Sequence, residues 1–165
     1  NPWEYWNKAA ESGVAEAHYY LGNAMVKGSP DTVPEGVEHL KKAVAGIRGG
    51  LAARAATMLA SLYWHGHGPL AQDQDAGLHW YRTAAEAGDP PSQLVYGLML
   101  IEGEYVPADV QKGESLLRMA AGQDHLPAIA ALINYLRNAA DSTPEMQEEA
   151  EAWQKRMDDL QGVGR

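Results

Sequence analysis

The 165 residues include no cysteine, which excludes a disulfide framework, a thiolate zinc site and a cysteine nucleophile. Phenylalanine is missing too, and the aromatic content rests on five tryptophans and eight tyrosines. Such rings carry a polar edge, so they suit boundaries and grooves as well as core slots. Basic residues are scarce: 13 lysines and arginines stand against 22 aspartates and glutamates, for a net charge of −9. A field of that sign repels phosphate backbones and anionic lipid surfaces, which makes nucleic acid a poor partner. Long apolar runs are also absent. Leu94–Ile101 is among the longest, far short of the roughly 20 residues a membrane-spanning helix needs. No signal peptide is recognisable. What the chain does have is enough apolar residues to fold, 45% against 21% charged, over a length that suits one domain or about four short repeats.

Catalytic signatures are lacking as well. There is no Gly-x-Ser-x-Gly elbow, phosphate-binding loop or dinucleotide fingerprint. The pair Gly66 and Gly68 reads as turn geometry between helices. His65 and His67 bracket Gly66, and His79 lies further on; no acidic residue stands at a metal-ligand spacing from them. The expectation is a chain that is not an enzyme and carries no cofactor and no metal. Glu145, Glu148, Glu149 and Glu151 read as a solvated helix start, where negative charge suits the helix dipole.

Self-similarity organises the chain. Four segments begin at Ala17, Ala55, Ser92 and Ala128, 36 to 38 residues apart, and three of them continue as Tyr19-Tyr20-Leu21-Gly22, Thr57-Met58-Leu59-Ala60 and Leu94-Val95-Tyr96-Gly97. A second motif alternates with the first: Ala9-Ala10-Glu11-Ser12-Gly13, Ala43-Val44-Ala45-Gly46, Ala84-Ala85-Glu86-Ala87-Gly88 and Ala120-Ala121-Gly122, with Tyr5, His39, Trp80 or Leu116 four residues before each first alanine. Ala17, Leu21 and Met25, then Ala55, Leu59 and Tyr63, then Ala76, Trp80 and Ala84 recur at helical spacing. Alanine and glycine on a helix face let a neighbouring backbone approach closely. Gly13, Gly28, Gly66, Gly88, Gly103 and Gly122 stand where helices should stop, and Asn1-Pro2 and Thr143-Pro144 where they should start. These signals predict helices near 2–12, 14–28, 34–46, 51–65, 73–87, 91–103, 109–121, 125–140 and 144–160, and essentially no strand. The last of them carries a narrow stripe, Met146, Ala150, Trp153, Met157 and Leu160, under a polar outer face, as a terminal repeat requires. At the other end, aligning Tyr5 with Trp80 leaves only four residues upstream; either an N-terminal piece is missing or Asn1-Pro2 is a genuine cap.

The best copy, with Ala55, Leu59, Tyr63, Gly66, Gly68, Asp73, Ala76, Trp80-Tyr81, Ala84-Ala85, Glu86 and Gly88, resembles the Sel-1-like repeat, a relative of the tetratricopeptide repeat. The resemblance covers nearly the whole chain, with one strong and three degraded copies. It implies an all-α fold, a right-handed α-solenoid (superhelix) of about four helix–turn–helix repeats with roughly nine helices. The domain would run over 1–165: a half repeat at 1–13, repeats at 14–50, 51–88 and 89–124, and a degenerate capping repeat at 125–165. It further implies a non-catalytic module that binds a partner protein on its concave face. Carried over from the related tetratricopeptide pattern, that face consists of Glu16, Tyr19, Asn23 and Lys27, then Arg54, Thr57, Ser61, Trp64 and His65, then Leu94, Leu98, Ile101 and Glu102, then Asn134 and Arg137. Large apolar groups flanked by polar ones are the composition of an interface, although Leu94, Leu98 and Ile101 suit a core equally well. Proteins of this kind are often bacterial adaptors. Some are immunity proteins that neutralise a secreted toxic effector such as a lipase, and others are envelope or polysaccharide-assembly scaffolds; the periplasm is favoured over the cytoplasm. The acidic balance would suit a basic partner.

Overall fold

A computed structural model describes residues 1–163; Gly164 and Arg165, the end of the predicted capping repeat, lie outside the described residues. Among the described residues nine α-helices follow one another: α1 (Pro2–Glu11), α2 (Ala15–Lys27), α3 (Val33–Gly46), α4 (Gly50–His65), α5 (Gln74–Glu86), α6 (Pro90–Glu102), α7 (Val110–Gly122), α8 (Leu126–Asn138) and α9 (Pro144–Gln161). A single 3-10 turn, Pro30–Thr32, leads into α3. Among the described residues no strand forms, and β geometry is limited to one bridge between His67 and Leu70 in the α4–α5 loop. None of the helices is long and apolar enough to cross a membrane.

The starts obey capping chemistry. Asn1 accepts a hydrogen bond from the Trp3 amide, and Thr143 from Met146. Asp73 and Asp109 do the same for α5 and α7, satisfying amides that have no partner inside the helix. The stops are more varied than the glycine pattern predicts. Gly13, Gly66, Gly88 and Gly103 adopt the left-handed conformation that glycine makes cheap. Gly28 does not, with φ −87°; there the Thr32 hydroxyl reaches back 2.7 Å to the Met25 carbonyl and satisfies the end of α2. Gly122 is still helical, and Asp124 takes the left-handed turn in its place at φ 59°.

The described chain divides into two compact units, Asn1–Asp89 and Pro90 onward. Both are built from antiparallel pairs, a first helix (α2, α4, α6, α8) and a second helix (α3, α5, α7, α9), with α1 of the second type. In the first unit, Val33, Leu40, Ala43, Ala55 and Leu59 are fully enclosed with Tyr19, Val26 and Val37. Each large aliphatic side chain so buried contributes about 1.5–3 kcal/mol. In the second unit Leu117, Ile129, Leu132 and Leu136 form the centre, and Met146, Ala150, Trp153 and Met157 of α9 close over it. Leu160, the last member of the predicted stripe, is exposed.

Small residues mark the helix crossings. A Cβ on Gly22 would lie 2.8 Å from Leu40 Cγ and 2.9 Å from the Gly36 carbonyl; one on Gly77 would lie 2.9 Å from the Trp64 amide nitrogen; one on Gly113 would lie 2.6 Å from the Gly97 carbonyl. Ala60 is wholly buried. On α5 the tightly packed face is Gly77, Tyr81 and Ala84, one residue on from the predicted Ala76 and Trp80, which are only half-buried.

Candidate partner-binding faces

The first helices of the first unit, α2 and α4, pack beside one another. Their free surface carries Glu16, Lys27, Arg54, Ser61 and His65, all exposed. Trp64 sits half-buried, its ring edge-on to Tyr81 at 6.1 Å. Its backbone is pressed against Gly77, and its carbonyl accepts 2.8 Å from Gln72. The indole is therefore held on a rigid floor, the condition under which an aromatic side chain makes a low-entropy anchor. Asn23 on α2 is half-buried and lines a hollow with Trp3 and Trp6 of α1. His65 Nδ1 stands 3.1 Å from the Ser61 carbonyl.

Two predicted face residues have inward duties. Tyr19 is only 9% exposed and belongs to the core cluster of the unit. Thr57 donates 2.8 Å to the Asp89 carboxylate, a buried group that closes the unit.

In the second unit, Leu94, Leu98 and Ile101 of α6 are half-buried and pack against the Leu117–Leu136 cluster. Ile101 also covers Gly113. Glu102, Asn134 and Arg137 are exposed; the Asn134 side chain accepts 2.9 Å from Asn138, and the Arg137 carbonyl accepts from Gln147.

Four cations of the second helices form ion pairs, Lys41 with Glu38, Arg82 with Glu86, Arg118 with Glu114 and Glu149, and Arg156 with Asp124, while Lys8, Lys42, Lys112 and Lys155 form none among the described residues. Hydrogen bonding to Glu149 is the main cause that holds the Arg118 guanidinium above its ordinary range. No such ion pair engages Lys27 or Arg54 among the described residues.

Two features escaped the sequence reading. His18 on α2 and His39 on α3 meet Nδ1 to Nδ1 at 2.7 Å. Burial, followed by the charges of His39 and Lys42, lowers His18 below the usual histidine value. His39 is also lowered, by burial first, with Glu35 opposing and Lys42 adding. The second feature is an aromatic group at the start of the chain: Trp6 stacks on Tyr20 at 4.5 Å, and Tyr5 meets Trp6 edge-on at 5.1 Å.

These features define an all-α protein of stacked helix-pair repeats. The family model described as the Sel1 repeat matches residues 3–14, 15–46, 53–89 and 90–125. The chain belongs to the Sel1 repeat family. Among solved structures, a Sel1 repeat protein from Oxalobacter formigenes superposes with a TM-score of 0.80 at 20% identity, over 96% of this chain and 63% of that one. The c5321 protein, described as a protective antigen of uropathogenic Escherichia coli strains with an SLR fold, gives 0.77 at 21% identity, over 96% of this chain and 33% of that one. This chain thus spans less than two thirds of either. At these identities the likeness shows the fold, an all-α solenoid of about four repeats. No curated protein matches. The pair α8/α9 lies beyond the matched residues and keeps the same helix-pair design.

Proposed function

We propose that the first-helix face of the first unit, on α2 and α4, seats one partner protein, with Trp64 as anchor and Lys27, Arg54, Ser61 and His65 as its polar surround. Sel1 repeats generally mediate protein–protein interaction, and the observation that carries the reading here is the seating of Trp64 among exposed charged groups. Trp64 stands half-buried against Gly77 and Tyr81, and the exposed Lys27 and Arg54 make no ion pair among the described residues. Unpaired surface charge costs nothing in the free protein and steers a complementary partner. Leu94, Leu98 and Ile101 serve the core of the second unit on this reading, and Tyr19 that of the first. The finer proposal is that the partner is a toxic effector enzyme and the chain its immunity protein; its support is the family resemblance.

The test starts from a partner captured by in vivo cross-linking and identified by mass spectrometry. Lys27→Glu and Arg54→Glu should each weaken its binding severalfold while changing stability by less than about 0.5 kcal/mol, as exposed substitutions do. Trp64→Ala should weaken it by about tenfold or more. Unchanged affinity in all three would move the interface elsewhere. Failure of co-expression to protect cells from a captured toxin would remove the immunity reading and leave the binding face standing.

A further inference from the structure

The α2/α3 pair departs from the other helix pairs at two matched positions. The residue after the leading small residue is Ala56 on α4, Gln93 on α6 and Ile129 on α8, each buried; on α2 it is His18. Four residues before the first alanine of the second motif stand Trp80 on α5 and Leu116 on α7; on α3 it is His39. Both positions have become titratable in one repeat, and the two side chains meet. Nδ1 lies 2.7 Å from Nδ1, and the ring centroids are 4.9 Å apart, close to the widest spacing that such a contact allows. The two nitrogens therefore face each other along nearly one line. The His39 side chain is only 15% exposed, so water is poorly placed to replace the contact.

The protons can be followed atom by atom. Two neutral rings meet in this way only if one Nδ1 carries a hydrogen and the other a lone pair. His39 Nε2 lies 3.9 Å from the Glu35 carboxylate, which favours a proton on that nitrogen. His39 Nδ1 is then the acceptor and His18 Nδ1 the donor, and His18 Nε2 keeps the free lone pair. A first added proton goes to His18 Nε2, and the contact survives because His18 still donates. A second proton has only His39 Nδ1 to go to, the nitrogen inside the contact. Two N–H groups and two positive charges then stand head to head. Lys42 and Glu35 on α3 are the charged groups that act on the rings; α1 and α4, packed on the same helices, add none. A tetrahedral metal ion, with bonds of about 2.0–2.1 Å, needs the two nitrogens farther apart than this. We infer that the His18–His39 contact is an acid-opened clasp, which closes α2 on α3 near neutral pH and on its second protonation frees α2 and takes apart the α2/α4 face. The effect on a partner rests on the face proposed above; the clasp does not.

Nitrogen NMR of the labelled full chain near neutral pH should show His18 protonated at Nδ1 and His39 at Nε2. Hydrogen exchange, corrected for the intrinsic rate, should show amides of α2 losing protection by about three- to tenfold more than those of α8 between about pH 7.5 and 5.5. The double variant His18→Ala/His39→Leu, which installs side chains that other repeats carry at these positions, should remove that difference. A captured partner should bind the native chain severalfold more weakly in acid and the double variant equally at both pH values. Exchange reads the clasp with no partner present, so a failed clasp and a failed face are told apart. Equal loss of protection in the native chain and the double variant overturns the inference, as does the opposite pair of tautomers. Zinc that raises the melting temperature of the native chain alone would assign the pair to a metal and overturn it too.

Discussion

The helices α1 and α9 each pack chiefly on a single neighbour, yet they finish their surfaces in opposite ways. The outer positions of α9 are almost entirely polar, and charge ties it down. Arg118 of α7 takes the Glu149 carboxylate through two hydrogen bonds of 3.0 and 2.8 Å, Trp153 donates to the same carboxylate, and Arg156 grips Asp124. The apolar stripe of α9 is spent on its own unit. On α1 the aromatic rings outnumber what the unit can cover. Trp6 stacks inward, Ala10 joins Ala17 and Leu21, and Trp3 and Tyr5 are left to solvent. A repeat unit ends cleanly only when its last helix is polar on the side that would face a further helix. The α9 helix satisfies that condition, whereas α1 keeps Trp3 and Tyr5 at its surface.

The sharpest contrast is at the crossing glycine. Gly113→Val puts side-chain atoms where the Gly97 carbonyl and Ile101 already stand. Overpacking against backbone has no soft neighbour to give way, so unfolding in urea should show a loss of about 3 kcal/mol or more. The equivalent position on α1 is Pro2, with no helix laid across it. Pro2→Ala should shift stability by at most about 1 kcal/mol, an effect confined to the unfolded chain and the first turn. Comparable losses at both positions would mean that Pro2 is packed as tightly as Gly113, and the contrast between the two helices would collapse.

Charge tests the other end. Arg118→Ala removes the group that joins α7 to α9 and leaves Glu114 and Glu149 facing one another without a cation. The ion pairs are part-buried and solvent screens them, so the expected cost is about 1–2 kcal/mol, read as a lowered melting temperature. Arg118→Lys should recover less than half of it, because an ammonium cannot reproduce the two-pronged contact with Glu149. Full recovery would reduce the link to simple charge and remove the geometric argument for α9.

Much of this was legible in the chain. Helix number and type follow from three- and four-residue spacing of apolar positions, and the boundaries fall within two residues because aspartate, threonine and proline mark the starts. The phase of a face was harder to read. Alanine recurs so often in this sequence that Ala76 with Trp80 fits the period as well as Gly77 with Tyr81, and only a second helix laid across the glycine decides between them. Tyr19 shows the same limit. Its position in the repeat points to the partner side, but a tyrosine beside Leu40 and Leu59 gains more from burial than from exposure. The His18–His39 contact left no spacing signal at all, since it is made by two helices whose own patterns treat the two positions as unrelated.

That contact carries the smallest effect and a definite sign. With Nδ1 2.7 Å from Nδ1, one ring must donate a proton and the other accept it, an arrangement that holds only while at least one ring is neutral. The charges that act on the rings come from α3, with Lys42 opposing protonation of both and Glu35 favouring that of His39; α1 and α4, also packed here, add none. Both folded-state values lie below the ordinary 6.5. In the unfolded chain the rings bind protons first as pH falls through that value, so stability is complete above it and is lost on the way down to the depressed folded values. The urea midpoint should therefore fall between pH 7.5 and 5.5 by more in the native protein than in a His39→Gln variant, which keeps a hydrogen-bonding side chain but cannot charge. Equal slopes for the two proteins would mean that the rings titrate as free histidines and that the α2–α3 seam is indifferent to acid.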